Sequence, residues 1–145
     1  RADMLLGSLL AGQAFANSPV AAVHALAYPI GGHFKIPHGL SNALVLPYVL
    51  RFNAVTSADA YADTAIAAFP DLAVLSKSER ALAFCDALAD LALKCGLPPR
   101  LRDVGIGQDS LALLARDAIK QTRLLVNNPR PLTEADILQI YEDAW

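Results

Sequence analysis

All three histidines of the chain, His24, His33 and His38, lie between positions 24 and 38. Neutral imidazole is the commonest side-chain ligand for transition metals, so this concentration is the first place to look for chemistry. Two histidines on one helix would share a face only at a spacing of three or four. His24 and His38 are much further apart, so they can meet only across a turn. Gly31 and Gly32 tolerate unusual backbone angles, and about six extended residues can cover ~20 Å, enough to bring the chain back on itself. From the residues alone, two readings are compatible with this pattern. In one, His24 is a core histidine bonded to a carbonyl and His38 caps a helix. In the other, both bind a divalent cation, which normally takes at least three protein ligands, and the sequence names no third. His33 falls in the connection and is expected to face solvent or to support a ligand from behind.

Other catalytic constellations fail on their spacing. Gly31-Gly32 follows a helical pattern, whereas a dinucleotide-binding glycine loop must follow a strand. Neither Cys85 nor Cys95 has a histidine near it in sequence to activate a thiol. Asp59, Asp63, Asp71 and Glu79 read as solvated charges, and Arg100, Arg102 and Asp103 as a surface cluster.

With 145 residues, the chain can form one domain with a substantial core. Apolar residues make up 54% and charged residues 18%, the net charge is -2, and the sequence pI is about 5.8. No basic face or polybasic run supports binding to nucleic acid or to an anionic membrane. Cys85 and Cys95 are ten residues apart in one predicted helix, about 15 Å along its axis and beyond disulfide reach. Two unpaired thiols point to a reducing, cytoplasmic setting.

From Met4 to Phe34 there is no charged residue. Gln13, Asn17, Ser18, Pro19 and His24 interrupt any membrane-spanning reading. A signal peptide ending at Ala14-Phe15-Ala16 lacks a basic leader after Met4. The better reading is of central helices, apolar all round because neighbours cover every side. The chain opens on Arg1-Ala2-Asp3 without a start methionine, as if entered partway through a helix, which predicts a piece of something longer.

The elements that must position the histidines are helical. Met4 to Asn17 is Leu/Ala-rich, and Ser18-Pro19 should cap a second helix, Val20 to Ile30, that Gly31-Gly32 ends. After a connection from His33 to Ile36, Pro37 should open a third helix to Phe52, bent at Pro47 and stopped by Asn53. Ala58 to Phe69 makes a fourth, ended by Pro70. The capping box Ser76 to Glu79 launches a fifth to about Lys94, whose inward face is predicted as Leu82, Cys85, Leu88, Leu91 and Cys95. Asp109 should cap Ser110 to Thr122, and Thr133 a last helix reaching Trp145. The expected class is all-α, about seven helices in a single domain over residues 1–145, the first three apolar and central.

The series Leu10-Ala11-Gly12-Gln13-Ala14-Phe15-Ala16-Asn17, then Val23-His24-Ala25-Leu26-Ala27-Tyr28-Pro29-Ile30-Gly31-Gly32, then Ile36-Pro37-His38-Gly39-Leu40-Ser41-Asn42-Ala43-Leu44-Val45-Leu46-Pro47 resembles the iron-containing (group III) alcohol dehydrogenases. A weaker likeness runs through Leu101 to Gly105 and Asn128 to Thr133, so the resemblance covers essentially the whole chain. It implies a helical C-terminal domain similar to that of dehydroquinate synthase, with an NAD(P)-binding α/β domain absent from this chain. It also implies that His24 and His38 are two of four ligands to Fe2+. The other two, an aspartate and a histidine one helical turn apart, would lie upstream of Arg1. Two imidazoles suit iron, zinc or another divalent metal alike. Many members carry histidine where this sequence has Tyr28, so the resemblance places Tyr28 near the reacting centre, either as a proton-handling catalytic group or as an aromatic wall. Gly31, Gly32 and Phe34 would line the substrate cleft. The implied partners are a small alcohol or aldehyde, the NAD or NADP of the missing domain, and that domain itself, with a homo-oligomer left open. The alternative is a non-catalytic helical docking domain; the isolated chain is expected to be inactive either way.

Overall fold

Leu/Ala-rich segments, punctuated by Pro, Gly and Ser/Thr caps, dictate helices throughout, and the computed structural model, which describes residues 1–145, contains helices and no strands. The seven α-helices are α1 (Ala2–Asn17), α2 (Ala22–Phe34), α3 (His38–Ala68), α4 (Lys77–Lys94), α5 (Leu111–Ala118), α6 (Thr122–Leu125) and α7 (Glu134–Ala144). Short 3-10 turns at Pro70–Val74, Leu101–Val104 and Gln108–Ser110 connect them. No helix is long and apolar enough to cross a membrane.

α2 and α3 are central. α2 buries Ala22, Ala25, Leu26, Ala27, Pro29 and Ile30, which pack with Leu44, Val45 and Val49 of α3. Leu111, Leu114, Ala115 and Ala118 of α5 and Ile137, Ile140, Tyr141 and Ala144 of α7 close the same core. The buried Tyr141 hydroxyl donates to the Leu26 carbonyl at 2.6 Å, fastening α7 across α2. Burial pushes the Tyr141 phenol far above its ordinary pKa, so it remains a donor. The indole Nε1 of Trp145 donates to the Ile106 carbonyl, and the Arg100 guanidinium donates to the Asp143 carbonyl, so the end of α7 is held as well.

Several expected boundaries move. α2 begins at Ala22, after an extended Ser18, and runs through Pro29, Gly31 and Gly32 to Phe34. The two glycines are therefore helical and form no hinge; the reversal comes at Lys35, in the left-handed region (φ 60°). α3 keeps helical backbone angles through Pro47 and Asn53 and departs from them only at Ser57 (φ -120°, ψ 16°). Asn53 does not stop the helix because its amide is engaged elsewhere. It exchanges two buried hydrogen bonds with Asn128, at 3.0 and 2.7 Å, while Arg130 stacks on Phe52 and donates to its carbonyl. The predicted third helix thus runs past Asn53 to a kink at Ser57, and the fourth follows that kink at Ala58 as expected; the predicted Ser110–Thr122 helix starts at Leu111 without an Asp109 cap and breaks before α6.

α4 begins at the expected capping box, with Ser76 and Glu79 bonded reciprocally. Its inward stripe is rotated from the expected one: Ala81, Phe84 and Cys85 are buried and Leu88 is half-buried, whereas Leu82, Leu91 and Cys95 are exposed. The reason is aromatic, since Phe84 packs against Tyr61 and Phe69 at ring separations of 6.1 and 6.0 Å.

The largest correction concerns α1. It was expected to be central, but no residue of it is buried, and Met4 and Leu5 are 78% and 73% exposed. An all-round apolar helix needs neighbours on every side, and within these 145 residues no other element covers it.

The Thr133 cap of α7 yields a test. The Thr133 hydroxyl and backbone N–H both donate to the Asp136 carboxylate, at 2.6 and 2.8 Å, and hold its pKa below the ordinary aspartate value. A carboxylate lowered on folding contributes its full stability above the ordinary value and loses it as pH falls through the lowered one. In urea unfolding of the full-length protein, Thr133→Ala is expected to cost about 1 kcal/mol at neutral pH, with the difference shrinking once the medium is acid enough to protonate Asp136.

Candidate metal centre

α2 presents two faces. The face through Ala22, Ala25, Leu26 and Pro29 is buried, and the opposite one carries His24, Tyr28 and Gly32 at successive four-residue steps. His24 is half-buried, and Tyr28 and Gly32 are exposed. His38 is the first residue of α3. Three residues, Lys35-Ile36-Pro37, separate the two helices, and their path is pinned by the buried Ser41, whose hydroxyl lies 3.3 Å from the Ile36 carbonyl and 3.2 Å from that of Pro37. A Cβ at Gly31 would lie 3.5 Å from the Ile36 carbonyl oxygen, an ordinary contact, so that glycine is not forced by space.

This turn brings three rings together. The imidazoles of His24 and His38 have centroids 5.1 Å apart, and the Tyr28 ring stands 6.3 Å from His24 and 6.0 Å from His38. Burial, and then the proximity of His38, push the His24 pKa below the ordinary histidine value. The shift favours the neutral ring, the form that offers a lone pair. No group of three or more His, Cys, Asp or Glu side chains converges anywhere in the chain. The donor set is thus two imidazoles with a phenol beside them, which fits two of the four positions of a tetrahedral cation shell.

The other expected site residues are placed as follows. Phe34 is half-buried against the hydrophobic core, and Gly32 shares the open face with Tyr28. The His33 ring turns away: its Nε2 lies 2.7 Å from Asp117 on α5, a carboxylate that Lys120 also binds and that is held below the ordinary aspartate range by Lys120 first and His33 second. A cleft of about 340 Å³ between Tyr48, Arg51, Phe52, Arg130 and α7 contains none of the three rings. Geometry and donor chemistry point to the ring cluster rather than to that cleft.

One residue missed in the sequence reading touches the site. Asn42, one turn after His38 on α3, places its amide Nδ2 3.1 Å from His38 Nε2. Its Oδ1 is buried and has no hydrogen-bond partner. The four-residue spacing from His38 was available in the sequence, but nothing there distinguished Asn42 from a surface amide.

The sequence model described as "Fe-containing alcohol dehydrogenase family, C-terminal" matches residues 1–145. The chain belongs to this family. Among its relatives, the long-chain-alcohol dehydrogenase 1 of Geobacillus thermodenitrificans is 44% identical over 145 residues, covering 100% of this chain and 37% of that protein. The lactaldehyde reductase of Escherichia coli K12 is 36% identical over 143 residues, covering 99% and 37%. Among solved structures, a 1,3-propanediol oxidoreductase superposes with a TM-score of 0.89 at 35% identity, covering 95% of this chain and 36% of that one. The alcohol dehydrogenase of Oenococcus oeni superposes with a TM-score of 0.88 at 32% identity, covering 94% and 35%. The chain therefore spans little more than a third of the length of these relatives and matches the C-terminal model of the iron-containing dehydrogenases.

Because His33 is turned toward Asp117, His33→Ala in the full-length protein should leave bound metal at the parental level. Elemental analysis of the purified variant checks this, and a loss as large as that from His24→Ala would mean that His33, not the His24–His38 pair alone, serves the site.

Proposed function

We propose that this chain is the helical, metal-binding part of an NAD(P)-dependent alcohol dehydrogenase that interconverts a small alcohol with its aldehyde or ketone. The observation that carries the reading is the approach of His24 and His38 to 5.1 Å at the junction of α2 and α3, in a chain matched over its whole length by the iron-containing dehydrogenase model. In this reading His24 and His38 each give a lone pair to Fe2+, with zinc or another divalent metal as the alternative, and two further ligands and the nucleotide-binding α/β domain come from outside these residues. When bound, the cation supplies Lewis acidity toward the substrate oxygen, and NAD or NADP supplies the hydride carrier.

The residues of this chain have distinct tasks. Burial, the larger cause of the lowered His24 pKa, favours the ring form that presents a free lone pair. The rigid turn pinned by Ser41 fixes the second imidazole relative to the first. Tyr28 stands over both rings with its side open, where its phenol can hold or pass a proton at the substrate oxygen. In this reading Gly31 and Gly32, which continue the same helix, line the substrate cleft together with Phe34.

The 145 residues alone hold half of such a donor set and are expected to show no turnover. Free thiols at Cys85 and Cys95 suit the cytoplasm as its compartment. The wholly exposed, apolar α1 favours a second reading, a helical docking module that does no chemistry.

Two measurements on the full-length protein separate these. His24→Ala should abolish both bound iron and nicotinamide-coupled turnover; retention of both at parental levels leaves the docking reading. Tyr28→Phe should retain iron but lower kcat on the order of 100-fold if the phenol handles a proton. An unchanged kcat would make Tyr28 a wall of the cleft.

A further inference from the structure

The carboxamide of Asn42 is only half satisfied: its nitrogen reaches His38 Nε2 at 3.1 Å, and its oxygen is buried without a partner. Native structures rarely leave a buried acceptor unmatched, so this oxygen calls for a partner that the site itself supplies. The contact also has a chemical consequence for the imidazole. An amide N–H can donate only to a ring nitrogen that carries a lone pair, so the proton of a neutral His38 must sit on Nδ1. Nε2 is then the nitrogen with the free pair, and Asn42 is already using it.

We propose that Asn42 is a positioning residue that holds the place of the cation on His38, keeping the ring in its Nδ1–H form while the site is empty and giving up the Nε2 lone pair when the site fills. This rests on the ligand role of His38 proposed above. Its physical content is a competition. A hydrogen bond present only in the empty state stabilises that state, so it weakens cation binding by its own net worth. The freed amide then turns, and its unmatched oxygen becomes available to a hydroxyl or water in the filled site. The four-residue step from His38 to Asn42 along one helix puts both groups on the same face, so the exchange needs only side-chain rotation. Ser41, next in sequence, is tied to the Ile36 and Pro37 carbonyls, which holds the backbone still meanwhile.

Two readouts on the full-length, chelator-stripped protein test this, and neither is activity. The first needs no variant: ring 15N shifts of His38 should report the Nδ1–H tautomer with Nε2 as acceptor, and finding the Nε2–H tautomer would overturn the proposal. The second is titration with Co2+ alone, followed by its visible absorption. Asn42→Leu should bind Co2+ about fivefold more tightly than the parent, the equivalent of one neutral hydrogen bond no longer broken. Unchanged or weaker binding would overturn the proposal, and if the variant fails to fold the tautomer measurement decides. His38→Ala, titrated alongside, keeps the two levels apart: undiminished Co2+ binding in that variant would refute the ligand role itself rather than the part given to Asn42.

Discussion

The burial of one side of α2 is the constraint from which the site follows. Ala22, Ala25, Leu26, Pro29 and Ile30 occupy one arc of the helix and are sealed by α3, α5 and α7. Once that arc is committed to the core, the remaining arc, with His24, Tyr28 and Gly32, has one direction left to face. The connection to α3 is only Lys35-Ile36-Pro37, so that α3 leads off with an imidazole beside His24. The Tyr141 hydroxyl on the Leu26 carbonyl then prevents α2 from rotating about its axis, since rotation would break a buried bond and expose a buried phenol.

Much of this was legible in the sequence, and the misses have physical causes. The all-α class and the caps at Ser76 and Thr133 follow from composition and cap chemistry, and the meeting of His24 with His38 follows from the family resemblance. The Gly31-Gly32 pair was misread because glycine permits left-handed angles without requiring them; here it remains helical, and Lys35 takes the positive φ that the reversal needs. Asparagine commonly ends helices, so Asn53 reads as a stop, but its partner Asn128 is remote in sequence and no local pattern announces it. Asn42 was missed for the opposite reason. Its partner is local, but an amide's relevance depends on which ring atom it meets and on whether its other end is satisfied.

α1 illustrates what periodicity can and cannot say. Its uniform apolar surface correctly indicates a helix with no preferred solvent face. It does not indicate where the covering surface comes from, and in this chain none of the other helices provides it. The family relationship offers a consistent frame, since the relatives are far longer than the residues described here.

The core cluster draws on residues from Ala22 to Val49 and from Leu101 to Ala144, and takes nothing from the stretch between. That intervening stretch, the far half of α3 beyond Ser57 together with α4, gathers around Tyr61, Phe69 and Phe84 instead. The Asn53–Asn128 pair and the Arg130 clamp on Phe52 sit at the seam between the two. The fold thereby sets a core that backs the histidines beside an outer helical hairpin with its own aromatic cluster. A change at Phe84 would thus loosen the hairpin without removing a buried contact from the core that backs His24 and His38.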